Sequence, residues 1–184
     1  DHSPLALHRT LAILQSTIPP GVLNVVAGSG DVVGARLTTH PRVRKISFTG
    51  STATGRVIMA AASQTLKNLS LELGGNDAAV LLPSLTVTDE VADELLRGCL
   101  TNAGQVCYAP KRLYVHRDRV DEVCVTLQAR AAHWRIGDPA CPGVRIGPLN
   151  NKEQVRTVET LLADALNHGA TAIPRGRLDD GLSD

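Results

Sequence analysis

Short apolar runs that alternate with helical segments constrain the fold of this chain more than any other feature. Most of these runs end at a Gly-rich or Pro-rich turn, and apolar residues at helical spacing follow several of those turns. The predicted strands are 22–27, 46–49, 69–73, 78–82, 112–116 and 171–173. Consecutive strands joined through helices pair in the same direction, because the chain crosses back over the sheet each time. The sequence therefore predicts an α/β fold with a mostly parallel sheet.

The helices are predicted from apolar spacing and from their end signals. Thr88 can cap a helix whose first turn is acidic, which suits the helix dipole. The last helix is predicted over residues 152–167, with Gly169 as its C-cap. Its inward face is predicted to be Val155, Val158, Leu162 and Leu166. The other predicted helices lie within 7–18, 31–39, 52–62, 88–99 and 120–134.

Charge and cysteine usage exclude several classes of function. A net charge of +1 over 184 residues gives no reason to expect nucleic acid or an anionic membrane as a partner. No apolar run approaches the roughly 18–20 residues of a membrane span. The four cysteines form no CxxC pair and no His cluster has ligand spacing, so no metal site is predicted. Free thiols indicate a reducing compartment, and we expect a cytoplasmic protein. The missing initiator Met leaves open a processed chain or a piece of a longer one.

Two Gly-rich turns are candidates for nucleotide binding. Residues 28–34 (GSGDVVG) follow a predicted strand and are one residue longer than the usual dinucleotide fingerprint, so a plain βα turn remains an alternative. Residues 48–55 (FTGSTATG) form a second strand–turn–helix unit. The free N–H groups at that helix N-terminus suit a phosphate, although Ser51 as a simple helix cap explains the pattern equally well.

One carboxylate and one thiol are the candidate catalytic groups. Glu72 ends a run in which Leu71 and Leu73 share the opposite face, so it is either an exposed strand-end acid or a general base beside a cleft. Cys107 lies on a predicted loop between Gly104 and Pro110, where local N–H groups could ionise it. The alternative for a cysteine is a small buried apolar residue, which we favour for the two helical cysteines at positions 99 and 124.

Taken together, these motifs resemble the aldehyde dehydrogenase family. The similarity rests on 19–26 (PPGVLNVV), 48–52 (FTGST), 71–75 (LELGG), 102–107 (NAGQVC) and 147–149 (GPL), which fall in that family's order. It covers essentially the whole chain. The family's usual Lys after the Gly pair is Asn76 here, and we expect that position to affect packing, not chemistry.

The resemblance implies a fold and a set of roles. Residues 1–74 would be part of a Rossmann-like NAD(P)-binding domain, and residues 75–184 part of an α/β catalytic domain. Cys107 resembles the nucleophile, its backbone N–H half of an oxyanion hole, and Glu72 the base that activates water. The implied cofactor residues are Asp1, Gly30, Phe48, Thr49, Gly50, Ser51, Gly55, Leu73 and Gly74. A carboxylate at position 1 would repel a 2′-phosphate, which favours NAD over NADP while leaving NADP possible.

The resemblance also implies a small aldehyde substrate and a homo-oligomer at full length. It further implies that other parts of the site precede Asp1 and follow Asp184. An alternative is therefore a truncated or degenerate fragment that acts only by pairing with other subunits. A third possibility is a reductase of acyl phosphates, which also uses a cysteine. Glu72 argues against it, because reduction needs no base to activate water.

Overall fold

The structure, a computed structural model, describes residues 4–173 and 177–178. The chain divides between Gly74 and Gly75 into two compact units, residues 1–74 and 75–184. Helices alternate with parallel strands in both units, which confirms the predicted α/β class. Within the described part of the chain, none of the helices has the length and apolar character that crossing a membrane requires.

The first unit contains a two-stranded parallel sheet flanked by helices. Its elements are α1 (Pro4–Leu14), a π-helical turn (Gly30–Gly34), α2 (Ala35–Thr39), β1 (Lys45–Thr49), α3 (Thr52–Ser63) and β2 (Asn68–Glu72). The two strands pair in register from Lys45 opposite Asn68 to Thr49 opposite Glu72. Side chains in both strands alternate between half-buried and exposed, as a sheet with one covered face requires.

A half-buried lysine fixes the point at which β1 begins. The Lys67 ammonium donates to the carbonyl oxygens of His40 (2.7 Å) and Val43 (2.8 Å), across the loop that leads into the strand. Leu66, the residue before it, has a positive φ of 52° and lets the chain turn sharply between α3 and β2. These contacts hold the two strands level, so their carboxyl ends meet at one edge.

The second unit repeats the alternation of strands and helices. Its elements are β3 (Asp77–Leu81), α4 (Asp89–Leu100), β4 (Pro110–Val115), α5 (Val120–Ala131), β5 (Arg135–Ile136), β6 (Val144–Ile146), α6 (Lys152–Asn167) and β7 (Arg177–Leu178), with short 3₁₀ segments at 101–104 and 117–119. Strands β3 and β4 pair in parallel, and a second parallel sheet has the order β6–β5–β7.

The core of the second unit lies between α4, α5 and the β3–β4 pair. Leu81, Val87, Ala92 and Val123 are buried together there. Val91 and Leu95 on α4 pack against this cluster, and Thr88 caps the helix as predicted, by accepting from the Val91 N–H.

An ion pair links the two helices at the rim of this core. Arg130 on α5 donates to both carboxylate oxygens of Asp93 on α4, at 3.1 and 2.6 Å, and also to Asp89 at 3.2 Å. Hydrogen bonding from Arg130 holds the pKa of Asp93 below its usual value of 3.8, and the Trp134 side chain adds to the effect. The fork-shaped guanidinium matches the carboxylate, so the pair fixes the helices in orientation as well as in distance.

This ion pair predicts a pH dependence of stability. Because the pKa of Asp93 is depressed on folding, its contribution is complete above pH 3.8 and is lost as the pH falls through the lower folded value. We expect the urea midpoint to fall between pH 7 and pH 3, and the Asp93→Asn variant to show a smaller fall. Glu159→Gln, on the exposed side of α6, is the matched control. If the urea midpoint of Asp93→Asn fell with pH as steeply as that of the unsubstituted chain, the Asp93–Arg130 pair would not be the cause of the pH dependence.

Three expectations from the sequence are wrong. Residues 22–27 form no strand, because a strand exists only through pairing and their polar contacts are local: Gln15 donates to the Leu23 carbonyl, and Asn24 to that of Gly21. Residues 171–173 also form none. The face of α6 expected to point inward is exposed, because within residues 4–173 no element covers it. In contrast, the bounds of α6 and the left-handed Gly169 (φ 87°) are confirmed.

Candidate active site

The carboxyl ends of β1 and β2 form one edge of the sheet in the first unit. Thr49 ends β1 directly opposite Glu72, which ends β2. The Gly50 N–H donates to the Glu72 carbonyl oxygen at 3.0 Å, so the ladder continues one residue beyond the strands. This edge of a parallel sheet is where ligands bind in open α/β folds.

The turn that follows β1 contains a glycine that packs directly against an aromatic ring. A Cβ on Gly50 would lie 2.5 Å from the Phe48 ring, which covers the turn. Ser51 caps α3 by accepting from the Thr54 N–H at 3.1 Å. The first two N–H groups of α3 have no partner within the helix, and they carry its positive dipole end. The cap and the phosphate-facing role are therefore compatible at this turn.

Gly55 joins this turn to the end of β2. It is buried, and a Cβ there would lie 2.8 Å from Cδ2 of Leu73, so a larger residue would require the Leu73 side chain to shift. The contact brings the predicted cofactor positions of the first unit to one edge: Phe48, Thr49, Gly50, Ser51, Gly55, Leu73 and Gly74. Gly30 begins the exposed turn before α2, and Asp1 lies outside the described residues.

Glu72 is exposed at the end of β2. Its neighbours Leu71 and Leu73 are half-buried, so the carboxylate lies on the opposite face from the apolar side chains, as predicted. Burial does not restrict the approach of water to this carboxylate within its own unit. Of the two alternatives for this residue, the structure shows an exposed acid at the carboxyl end of β2, and its role as a base is a proposal.

Cys107 lies in the second unit, on an exposed turn between α4 and β4. Three consecutive left-handed residues precede it: Asn102 (φ 53°), Ala103 (φ 55°) and Gly104 (φ 75°). Asn and Gly adopt this conformation readily, but for Ala it costs about 1–2 kcal/mol. Such strain persists only where the surroundings enforce it, and it is typical of functional loops.

The backbone N–H of Cys107 is available for a ligand. Among the described residues it donates no hydrogen bond, while the flanking turn is closed by Gln105 N–H to Asn102 (3.1 Å) and Ala109 N–H to Val106 (3.2 Å). The Lys111 ammonium also holds the loop in place by donating to the Gly104 carbonyl at 2.9 Å. A thiol therefore lies beside an unused donor, which is what acyl chemistry at a cysteine requires.

Gly75 supports the other side of this turn. A Cβ at position 75 would lie 2.3 Å from the carbonyl oxygen of Cys107 and 2.9 Å from Oδ1 of Asp77. The carboxylate can rotate away, but the Cys107 backbone cannot move without displacing the thiol. The second Gly of the pair is thus required by its contact with the turn that carries Cys107.

This contact predicts a difference between two adjacent glycines. Gly75→Ala should lower the free energy of unfolding by about 1–3 kcal/mol, because the methyl group overlaps the Cys107 carbonyl. Gly74→Ala is the matched control, since nothing lies within 4 Å of its Cβ position. Urea denaturation of both variants is the measurement. A Gly75→Ala variant no less stable than Gly74→Ala would show that the turn does not rest on Gly75.

The other three cysteines differ from Cys107 in their surroundings. Cys99 on α4 and Cys124 on α5 are half-buried, and burial raises the pKa of the Cys99 thiol, which disfavours its thiolate. Cys141 is exposed in a loop between Pro139 and Pro142. The partial burial of both helical cysteines agrees with the packing role expected for them.

Sequence reasoning missed the residues that shape the turn that carries Cys107. The left-handed run at 102–104 was not predicted, although Asn and Gly both favour that conformation. Arg112 was also missed: it donates to the Asn76 carbonyl at 2.6 Å and so holds the residue after Gly75. No local sequence pattern predicts this contact, because it joins residues that are far apart in the chain.

Comparison with known proteins gives one family. The aldehyde dehydrogenase family model matches residues 1–184. A probable aldehyde dehydrogenase of a Pseudomonas species is 42% identical over 169 residues, which are 92% of this chain and 34% of that protein. The NADP(+) succinate-semialdehyde dehydrogenase GabD of Escherichia coli K12 is 41% identical over 168 residues, covering 89% and 34% of the two chains. The chain thus spans about a third of the length of these relatives.

Solved structures agree with the sequence relatives. An aldehyde dehydrogenase from Bartonella henselae has a TM-score of 0.89 and 35% identity, and the match covers 98% of this chain and 38% of that one. A mutant of aldehyde dehydrogenase C from Pseudomonas syringae, solved with NAD+ and octanal, has a TM-score of 0.87 and 33% identity, covering 97% and 37%. Each match includes both units.

Proposed function

The chain belongs to the aldehyde dehydrogenase family, and from that premise we propose that it carries the nucleophile and the base of an NAD(P)+-dependent oxidation of an aldehyde to a carboxylic acid. The observation that carries the proposal is the exposed thiol of Cys107 on a strained turn, beside a backbone N–H that no other described residue pairs with. Its homologues are aldehyde dehydrogenases by name, and one was solved with NAD+ and an aldehyde.

The residues of the first unit fit a dinucleotide. The free N–H groups at the start of α3 suit a pyrophosphate, and the glycine at position 50 lets the backbone approach it. We assign Phe48, Thr49, Ser51, Gly55, Leu73 and Gly74 to the same site, with Gly30 and Asp1 towards the adenosine. When bound, NAD(P)+ accepts a hydride. NAD is favoured over NADP because the carboxylate of Asp1 would repel a 2′-phosphate. NADP is still possible, since the name of the E. coli relative includes NADP(+).

The reaction follows from the chemistry of the two side chains. The Cys107 thiolate attacks the aldehyde carbon and forms a C–S bond, while the Cys107 N–H stabilises the developing oxyanion. The C–H bond then breaks, its electron pair leaves as hydride, and a thioester remains on Cys107. Glu72 removes a proton from water, which attacks the thioester. The C–S bond breaks, so the carboxylic acid and a free thiolate are released and one water is consumed.

The proposal assigns further properties to the protein. Residues 1–74 act as part of the NAD(P)-binding domain and residues 75–184 as part of the catalytic domain. The substrate is a small aldehyde, the location is the cytoplasm, and the assembly is a homo-oligomer. Glu72, at the carboxyl end of β2, favours release of the acyl group by water over its transfer to coenzyme A.

A hybrid protein tests the proposal directly. These 184 residues replace the matching third of the E. coli relative, and the hybrid is assayed with succinate semialdehyde and NADP+. We expect NADPH and succinate to form in equal amounts. A folded hybrid that binds NADP+ and forms neither would overturn the proposal. The same assay on the 184-residue chain alone, with calorimetric titration of NAD+, tests the alternative that the chain acts only together with other subunits.

A further inference from the structure

Gln105 connects the turn that carries Cys107, here called the nucleophile turn (residues 102–109), to a distant loop of the second unit. Its side-chain oxygen accepts from the backbone N–H of Asn150 at 2.8 Å, across 45 residues of chain. Its side-chain nitrogen donates to the backbone carbonyl of Asn102 at 2.9 Å. Asn150 immediately precedes Asn151, which caps α6 by accepting from the Gln154 N–H. A single half-buried amide therefore ties the turn before Cys107 to the start of a sixteen-residue helix.

The orientation of this amide is fixed by its partners. A backbone N–H can only donate and a backbone carbonyl can only accept, so exchanging the oxygen and nitrogen of Gln105 would break both bonds. The two bonds also use both ends of the amide at once. In the other direction, the Asn102 side-chain amide donates a longer hydrogen bond to the Gln105 backbone carbonyl, at 3.4 Å.

These bonds act on the strained part of the turn. The Asn102 carbonyl receives two bonds from Gln105, one from its side chain and one from its backbone N–H at 3.1 Å. They close the loop around Ala103, which is held left-handed without the usual Asn or Gly. Without the side-chain amide, fewer contacts hold the backbone of residues 102–105 in this conformation. A shift of that backbone changes the direction of the Cys107 N–H, two residues on.

We propose that Gln105 is a positioning residue that holds the backbone N–H of Cys107 in the direction needed to stabilise an oxyanion. The proposal rests on the role of Cys107 proposed above. Gln105 acts through the turn, so its contribution appears where an oxyanion forms and is absent where none forms. It does not require Gln105 to touch the substrate.

Two reactions of the Cys107 thiol in the 184-residue chain separate these cases. With p-nitrophenyl acetate, the thiolate attacks the ester carbonyl through an oxyanion, a C–S bond forms and p-nitrophenolate leaves. With iodoacetamide, the thiolate displaces iodide and no oxyanion develops. Both rates are read from the mass of the peptide that contains Cys107. Comparing the rates in one variant removes any change in the thiolate fraction, because that change affects both.

Gln105→Met keeps the length of the side chain and removes both hydrogen bonds. We expect acetylation of Cys107 to slow by about tenfold or more, with alkylation changed by less than about twofold. The amide of Asn150 should also lose about five- to tenfold of its protection from hydrogen exchange. Gln154→Met, an exposed glutamine on the first turn of α6, is the matched control and should change none of these.

Gln105→Glu provides a rescue that a purely structural role would not give. The new carboxylate can still accept from Asn150, but above its ordinary pKa of about 4.3 it repels the Asn102 carbonyl. Protonation restores a donor there. The ratio of acetylation to alkylation should therefore recover as the pH is lowered from 7 towards 4.5, while the ratio in the unsubstituted chain stays level.

Three results would overturn the proposal: an unchanged acetylation rate in Gln105→Met, an equal fall in both rates, or a Gln105→Glu ratio that does not respond to pH. Circular dichroism and the urea midpoint identify a variant that has unfolded, and in that case the pH response of Gln105→Glu decides. The proposed function fails separately. If a hybrid lacking the Cys107 thiol still oxidised aldehyde, the nucleophile would be wrong, whereas the two rates would still report whether Gln105 orients the turn.

Discussion

Replacing Cys107 with Ala in the hybrid is expected to lower kcat by about 10⁴-fold or more, because no other group can form the bond to the aldehyde carbon. The thiol is exposed and lies on a turn whose conformation is enforced by contacts within the second unit. Ala removes only the sulfur, so the fold and the affinity for NADP+ should be unchanged. The measurement is NADPH formation under saturating aldehyde, with NADP+ affinity measured by calorimetry.

Cys141→Ala is the matched control for that variant. Cys141 is likewise exposed and likewise on a loop, but it has no left-handed turn before it. We expect it to keep full activity. If Cys107→Ala and Cys141→Ala retained equal activity, the nucleophile assignment would be refuted. If both lost it, the thiols would be serving the fold and not the reaction.

Replacing Glu72 with Gln should separate the two halves of the reaction. The first half needs only the thiol, so a burst of NADPH equal to the number of sites should remain. The second half needs a base for water, and steady-state turnover should fall by about 10²-fold or more. The thioester then accumulates on Cys107 and is detected as added mass on its peptide. Gln has the same shape as Glu but cannot take a proton, so packing is preserved.

The control for Glu72 is an acid with no proposed part in the chemistry. Glu94→Gln removes an exposed carboxylate on α4 that forms an ion pair with Arg97 one turn away. Its turnover should match that of the unsubstituted hybrid. Loss of the burst itself in Glu72→Gln would mean that the carboxylate acts before the thioester forms, and the assignment to water activation would then be wrong.

The parts of the fold that could be predicted are those that local chemistry determines. Thr88 and Ser51 cap α4 and α3 with their own side chains, and Gly169 supplies the left-handed residue that ends α6. The alternation in β1 and β2 directly reflects one covered face. At the site, the turn after β1 and the exposed loop of Cys107 were predicted for the same reason, since both follow from short segments.

The parts that could not be predicted depend on partners distant in sequence. Residues 22–27 have the composition of a strand, but a strand also needs a neighbour to pair with. The close contact of Gly75 with Cys107 joins residues 32 positions apart by their numbers, and that of Gln105 with Asn150 spans 45. Such contacts determine the geometry of the turn that carries Cys107, and a single sequence gives no periodicity from which to infer them.

The uncovered apolar stripe of α6 has a thermodynamic consequence. Leu161, Leu162 and Leu166 remain between 46% and 64% exposed in the folded second unit, so unfolding adds less apolar surface to water than their number suggests. The heat-capacity increment of unfolding depends on that newly hydrated area. For these 184 residues alone, calorimetry should therefore give a flatter curve of free energy against temperature than for a protein of equal length whose leucines are all enclosed.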